Sequence, residues 1–269
     1  MPRLLFFFLL IFLKAESGNA FVQGQTPAER GQWLAEQVEN RDTGRDGRVA
    51  FKMRLVDRQE RVRERALTVL SKKYAGGDKS LTRFTRPADI AGTGFLVWEH
   101  NDVPRTGSKP EEDERFLFLP SLGRVRRIAG SEAQESFVGS DFTYEDIGGR
   151  EINDYTYTLV NDTAANGTAY TLESRAKNPS ARFPRVVSTI RKDNFVVIHA
   201  EIFGKRNELE KVFDATGVEK IGKYWTVTAM TMKDIGQKTR TEMTVEKAEY
   251  DVGLGDELFT RRELEKVIR

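Results

Sequence analysis

Three groups of side chains in this sequence have the types and spacing to do chemistry. Asp141, Glu145 and Asp146 fall within six positions, close enough to serve as paired acids in general acid–base catalysis. The run Glu111-Glu112-Asp113-Glu114 offers carboxylates to a cation. Arg124, Arg126 and Arg127 offer three guanidinium groups to an anion or to an acidic surface. Each group also has a plain reading. Asp141 or Thr143 can cap a short helical turn while the acids pair with the three arginines. The acidic run matches no EF-hand spacing and reads as a solvated loop. The arginines can be used up in salt bridges. The only histidines are His100 and His199, cysteine is absent, and no H-E-x-x-H, G-x-G-x-x-G or P-loop occurs. Gly139-Ser140-Asp141 lacks the second glycine of a nucleophile elbow. No catalytic residue, metal site or cofactor is assigned, and the chain is not read as an enzyme.

The elements that must position these residues follow from the hydropathy pattern. Met1-Pro2-Arg3 is a basic start, Leu4 to Leu13 is ten apolar residues, and Ser17-Gly18-Asn19-Ala20 places small residues before a cut after Ala20. Ten residues are too few for a spanning helix, so residues 1–20 read as a cleaved signal peptide and 21–269 as one exported, soluble domain. A formal net charge of +2 gives no basic face for nucleic acid. Thr26-Pro27-Ala28-Glu29 is a capping box that opens a helix to about Asn40, with Gly31, Leu34, Ala35 and Val38 on one side. That helix either packs on a sheet or acts as a lid. From Arg48 the period changes to two, and about thirteen strands follow with turns between them and no βαβ spacing. The loop from Asn101 to Pro110 should be exposed. Thr260-Arg261-Arg262-Glu263 opens a short last helix carrying Leu264, Val267 and Ile268. The fold class is mainly β, one antiparallel sheet rolled on itself.

Such a sheet leaves an apolar face to account for. Phe51, Met53, Leu67, Phe84, Leu96, Trp98, Phe116, Phe118 and Trp225 either fill a core or line a ligand cavity. Two helices of roughly 14 and 8 residues cannot cover about 13 strands of ~17 Å each, which favours a partly open interior. Phe116-Leu117-Phe118-Leu119 is apolar on both faces. One face must meet the core, and the other must meet further protein or an apolar ligand.

The run Asp113-Glu114-Arg115-Phe116-Leu117-Phe118-Leu119-Pro120-Ser121-Leu122-Gly123-Arg124-Val125-Arg126-Arg127-Ile128, followed by Gly139-Ser140-Asp141-Phe142-Thr143-Tyr144-Glu145-Asp146, resembles the outer-membrane lipoprotein-sorting (LolA-like) family. It is closest to the larger branch associated with RND-type exporters. The resemblance implies an unclosed antiparallel β-barrel (LolA/LolB-like) with the N-terminal helix and short helices as its lid. It further implies a monomeric periplasmic carrier that binds the acyl chains of a lipid or lipoprotein in its concave face. Arg124, Arg126 and Arg127 would then meet an anionic headgroup or an RND-type transporter. A ligand-free docking module of such a transporter, and a hydrolase of envelope lipids, are the other readings.

Overall fold

The computed structural model describes residues 24–100 and 112–266. The signal-peptide expectation, the loop at 101–110, Glu111, Val267 and Ile268 lie outside the described residues. Helix α1 (Pro27–Glu39) begins where the capping box places it: Glu29 N donates to Thr26 Oγ1 at 3.2 Å, and Thr26 N donates to Glu29 Oε2 at 2.7 Å. Thirteen strands follow. β1 (Asp46–Val56), β2 (Val62–Lys72), β3 (Lys79–Arg86), β4 (Gly94–Trp98), β5 (Glu114–Leu119) and β6 (Arg124–Ile128) form the first half. β7 (Tyr155–Ala164), β8 (Ala169–Ala176), β9 (Arg185–Arg191), β10 (Val197–Phe203), β11 (Leu209–Ile221), β12 (Tyr224–Asp234) and β13 (Thr239–Tyr250) form the second. Two short helices, α2 (Tyr144–Gly148) and α3 (Arg261–Leu264), complete the set.

All strands belong to one sheet of order β6-β5-β4-β3-β2-β1-β13-β12-β11-β10-β9-β8-β7, with every paired neighbour antiparallel. Each half is a meander, and β1 pairing with β13 joins the two halves (Met53 opposite Met243). β6 and β7 are left as free edges, so the sheet is unclosed. Six strand spacings separate β2 from β9, about 29 Å on a flat sheet. Val69 of β2 and Val186 of β9 nevertheless line the same cavity, so the sheet must curl.

Residues 129–154 connect the two free edges by running across the concave face. Phe137, Phe142 and Tyr144 from this segment are buried there against Phe84 and Phe95, with Phe84 and Phe137 stacked at 5.7 Å. Polar bonds fix both flanks. Arg65 Nη1 donates to Val138 O at 2.7 Å, and the hydroxyls of Thr239 and Thr241 donate to the Asp141 carboxylate at 2.5 and 2.7 Å. Helix α1 covers the β7–β9 end, where Leu34 and Ala35 pack on Leu159, Leu172 and Ile190. Gly31 permits that approach: a Cβ there would lie 2.6 Å from the backbone nitrogen of Thr158.

The other face of β3–β5 is also covered. Leu81, Leu96, Phe116 and Phe118 are buried beneath Leu254, Phe259 and Leu264 of the C-terminal segment. Trp98 Nε1 donates to Phe259 O at 2.9 Å, and Arg83 donates to Glu263 O and Lys266 O at 2.6 and 2.7 Å. The β5 run is therefore buried on both faces by this chain. Leu117 joins the concave core and Phe118 the C-terminal clasp.

Candidate functional site

Between the concave face, α1 and the crossing segment lies a cavity of about 530 Å³, within the usual size range of small-molecule sites. Strand period fixes which side chains reach it. Val186, Ser188 and Ile190 alternate along β9, Leu172 and Ser174 along β8, and Tyr155 and Tyr157 along β7. On β10 a register shift between Val197 and His199 changes the phase, so Val197 points in together with Ala200 and Ile202. Phe213, Met230, Met232 and Met243 close the floor on β11–β13, and Phe51 and Val69 close it on β1 and β2. Unbranched methionines adapt to irregular apolar ligands.

The roof supplies the charge. Thr143 caps α2, with Asp146 N donating to Thr143 Oγ1 at 3.0 Å and Thr143 N to Asp146 Oδ2 at 2.9 Å. This half of the local expectation for the acids holds. The other half is corrected: Glu145 and Asp146 pair with Arg150, and Asp141 accepts from Thr239 and Thr241, none of them pairing with Arg124, Arg126 or Arg127. Arg150 Nη2 donates to Asp146 Oδ1 at 2.8 Å, and its Nε lies 3.9 Å from Glu145 Oε2. Tyr155 Oη donates to Glu145 Oε1 at 2.9 Å. Burial works against the Arg150 charge, but Asp146 and Glu145 outweigh it and hold the guanidinium charged beyond its ordinary range. Burial likewise pushes the Tyr155 hydroxyl up, with Glu145 adding to it and Arg150 opposing. Gln134 Nε2 also donates to Glu145 Oε2 at 3.2 Å, so both carboxylates and the guanidinium have partners. Among the described residues no cluster of His, Cys, Asp or Glu has metal-ligand geometry.

Of the residues singled out for the cavity, Phe51 alone lines it. Met53, Leu67 and Phe84 share its face but are sealed in the adjoining core. Leu96, Trp98, Phe116 and Phe118 are corrected to the opposite face, because alternation sends them under the C-terminal segment. Trp225 lies outside the cavity, half-buried on β12 with Arg191 and Lys220 over its ring at 5.1 and 5.2 Å. Arg126 pairs with Glu132 at 2.5 Å, while Arg124 and Arg127 stay exposed on edge strand β6, none of them at the cavity. The missed lining residues come from α1, Val69 of β2, the crossing segment and, above all, β7–β13. Their alternation was visible in the sequence, but not the side to which it pointed.

Among the described lining residues only Glu39 and Gly149 are exposed, and the cavity reaches solvent between the end of α1 and the end of the crossing segment. Glu99 stands over Gly149, where an added Cβ would lie 2.9 Å from Glu99 Oε1. Burial, then repulsion from Asp78, Asp113 and Glu39, pushes the Glu99 carboxyl up to about 7, with Arg115 opposing. Burial, then Asp113 and Asp154, raises Glu151 to about 7 as well. A raised folded-state value favours the protonated form, so this contribution to stability is lost as pH climbs from the ordinary glutamate range through about 7. Glu99→Gln should raise stability at pH 8, by on the order of 2 kcal/mol, and change it little at pH 5. Urea melts at the two pH values check this, and an equal effect at both would refute it.

An unclosed antiparallel sheet curled over an apolar cavity, roofed by a helix and a crossing segment, is a fold this chain shares with solved structures. The structure of the LolA superfamily protein NE2245 from Nitrosomonas europaea matches with a TM-score of 0.66 and 19% identity over 87% of this chain and 98% of that one. A domain from Vibrio parahaemolyticus described as an outer membrane lipoprotein-sorting protein matches at 0.79 and 28% identity, covering 89% of this chain and all of that one. A family model described only as that of an uncharacterized protein matches residues 76–266. A DUF1329 family protein from Desulfovibrio piger is 30% identical over 89% of this chain and its whole length, with a TM-score of 0.80. The chain belongs to the DUF1329 family. No curated protein matches it in sequence.

Proposed function

We propose that the protein is a non-catalytic, monomeric periplasmic carrier that shelters the acyl chains of a lipid or lipoprotein on the way to the outer membrane. One observation carries the reading: strands from both halves of the sheet turn a mainly apolar face toward one cavity that α1 and the crossing segment roof over. An ordinary core would be filled by its own side chains. Each CH₂ buried there is worth about 0.8 kcal/mol, so half of a long acyl chain supplies several kcal/mol. The Vibrio relative's description supports lipoprotein cargo. The exposed Arg124 and Arg127 on a free edge strand suit contact with an RND-type exporter. Among the described residues no helix is long and apolar enough to cross a membrane. Organic extraction of protein purified from the periplasm, followed by mass spectrometry, should recover stoichiometric lipid. Protein that yields none and does not enhance the fluorescence of N-phenyl-1-naphthylamine would refute the carrier reading.

A further inference from the structure

Among the described residues, every charged side chain that lines the cavity is either an acid or already engaged by acids. Glu39, Glu145, Asp146 and Arg150 are the four, and Arg150 faces Asp146 at 2.8 Å and Glu145 at 3.9 Å. An entering anion would therefore find no cation at its disposal inside. The opening has the same sign. Glu39 stands at the mouth from α1, Glu99 overhangs Gly149 from the end of β4, and Glu151 follows Arg150. Desolvation by the surrounding rim, then repulsion from Asp78 and Asp113, raises the Glu39 carboxyl against Lys73, although the side chain itself is open to solvent. Against these five acids stand Lys73, which is near Glu39 and Asp78, and Arg115. Arg115 is buried and bound to Asp113 at 3.0 Å and to Gly149 O at 3.3 Å, so it is not available to a ligand headgroup.

We infer that this cavity selects its cargo by charge, preferring amphiphiles with a cationic polar end over anionic ones of the same chain length, with Glu39 as the specificity-determining residue. The inference rests on the carrier reading. The apolar lining accepts any alkyl chain, so discrimination falls to the polar end, which must stop where the cavity meets water. That place is Glu39. No hydrogen bond or ion pair among the described residues holds the Glu39 carboxylate, and it is exposed, so an ammonium group can approach it directly. A carboxylate or phosphate there would sit among like charges in a partly desolvated rim, where repulsion is screened less than on an open surface.

The test uses the mature protein loaded with N-phenyl-1-naphthylamine, a neutral probe. The probe is displaced at pH 8 and low salt by dodecyltrimethylammonium or by dodecanoate, each kept below its micelle concentration. The cation should displace the probe at a concentration at least tenfold lower than the anion. Glu39→Gln, normalised to its own probe affinity, should shrink that ratio at least threefold, and Glu39→Lys should reverse it. Because Glu39 is exposed, melting temperatures of both variants should stay near wild type. Equal displacement by the two amphiphiles, or a ratio unmoved in Glu39→Lys, would overturn the charge inference and leave the carrier intact. Failure of probe and both amphiphiles to bind would overturn both.

Discussion

Phe118→Gln should destabilise the protein by about 3–5 kcal/mol, the usual range for emptying a buried aromatic site and leaving a polar group without a partner. Phe118 is 4% exposed and packs with Leu96, Leu254, Phe259 and Leu264 on the face of β5 that looks away from the cavity. Nothing there can supply the amide with water. The C-terminal segment is held over it by Trp98 and Arg83, whose donors reach main-chain carbonyls. Gly94 lets that segment lie close, since a Cβ would meet Leu264 Cδ1 at 2.6 Å. Loosening this clasp should also speed proteolysis after Leu254. Leu117→Gln, on the concave side, should cost a similar amount, because Leu117 is 3% exposed in the main core. Urea denaturation measures both. Either variant melting like wild type while losing ligand would mean that β5 lines the site after all.

Part of this arrangement is legible in the sequence alone. Period-two alternation predicts about thirteen strands, and its spans Arg124 to Ile128, Arg185 to Arg191 and Thr239 to Tyr250 are the bounds of β6, β9 and β13. The caps at Thr26 and Thr260, and Thr143 as one of two candidate caps, are local chemistry and needed no tertiary knowledge. Alternation says that Phe116 and Phe118 share a face. It does not say whether a helix, a clasp or a ligand covers that face, because the covering residues are more than a hundred positions away. The alternation that starts at Glu208 predicts a strand ending at Phe213, but β11 runs eight residues further, to Ile221, because register shifts beside Gly217 break the alternation. The Arg150–Asp146 pair was legible in principle as an i, i+4 spacing. The acidic mouth was not, since Glu39, Asp78, Glu99, Asp113 and Glu151 come from separate segments whose only common feature is the folded sheet.

Filling the cavity should separate ligand binding from stability in the opposite direction to Phe118→Gln. Ser188 sits mid-strand on β9, paired with Leu172 on one side and Ala200 on the other, and all three line the cavity. Its hydroxyl is small beside the space it faces, so Ser188→Phe can extend into the cavity without displacing a neighbour. Burying a ring against Leu172, Ala200 and the methionine floor should raise stability by about 0.5–2 kcal/mol, as cavity-filling changes commonly do. The same ring occupies space an acyl chain would use and should weaken uptake of N-phenyl-1-naphthylamine at least thirtyfold. If the cavity were only a packing defect, stability would rise with no binding to lose. If the site overpacks, stability would fall by about 1–3 kcal/mol, and Ser188→Leu would serve as the smaller filler. A more stable Ser188→Phe protein that still binds the probe like wild type would place the ligand elsewhere and remove the cavity from the proposed function.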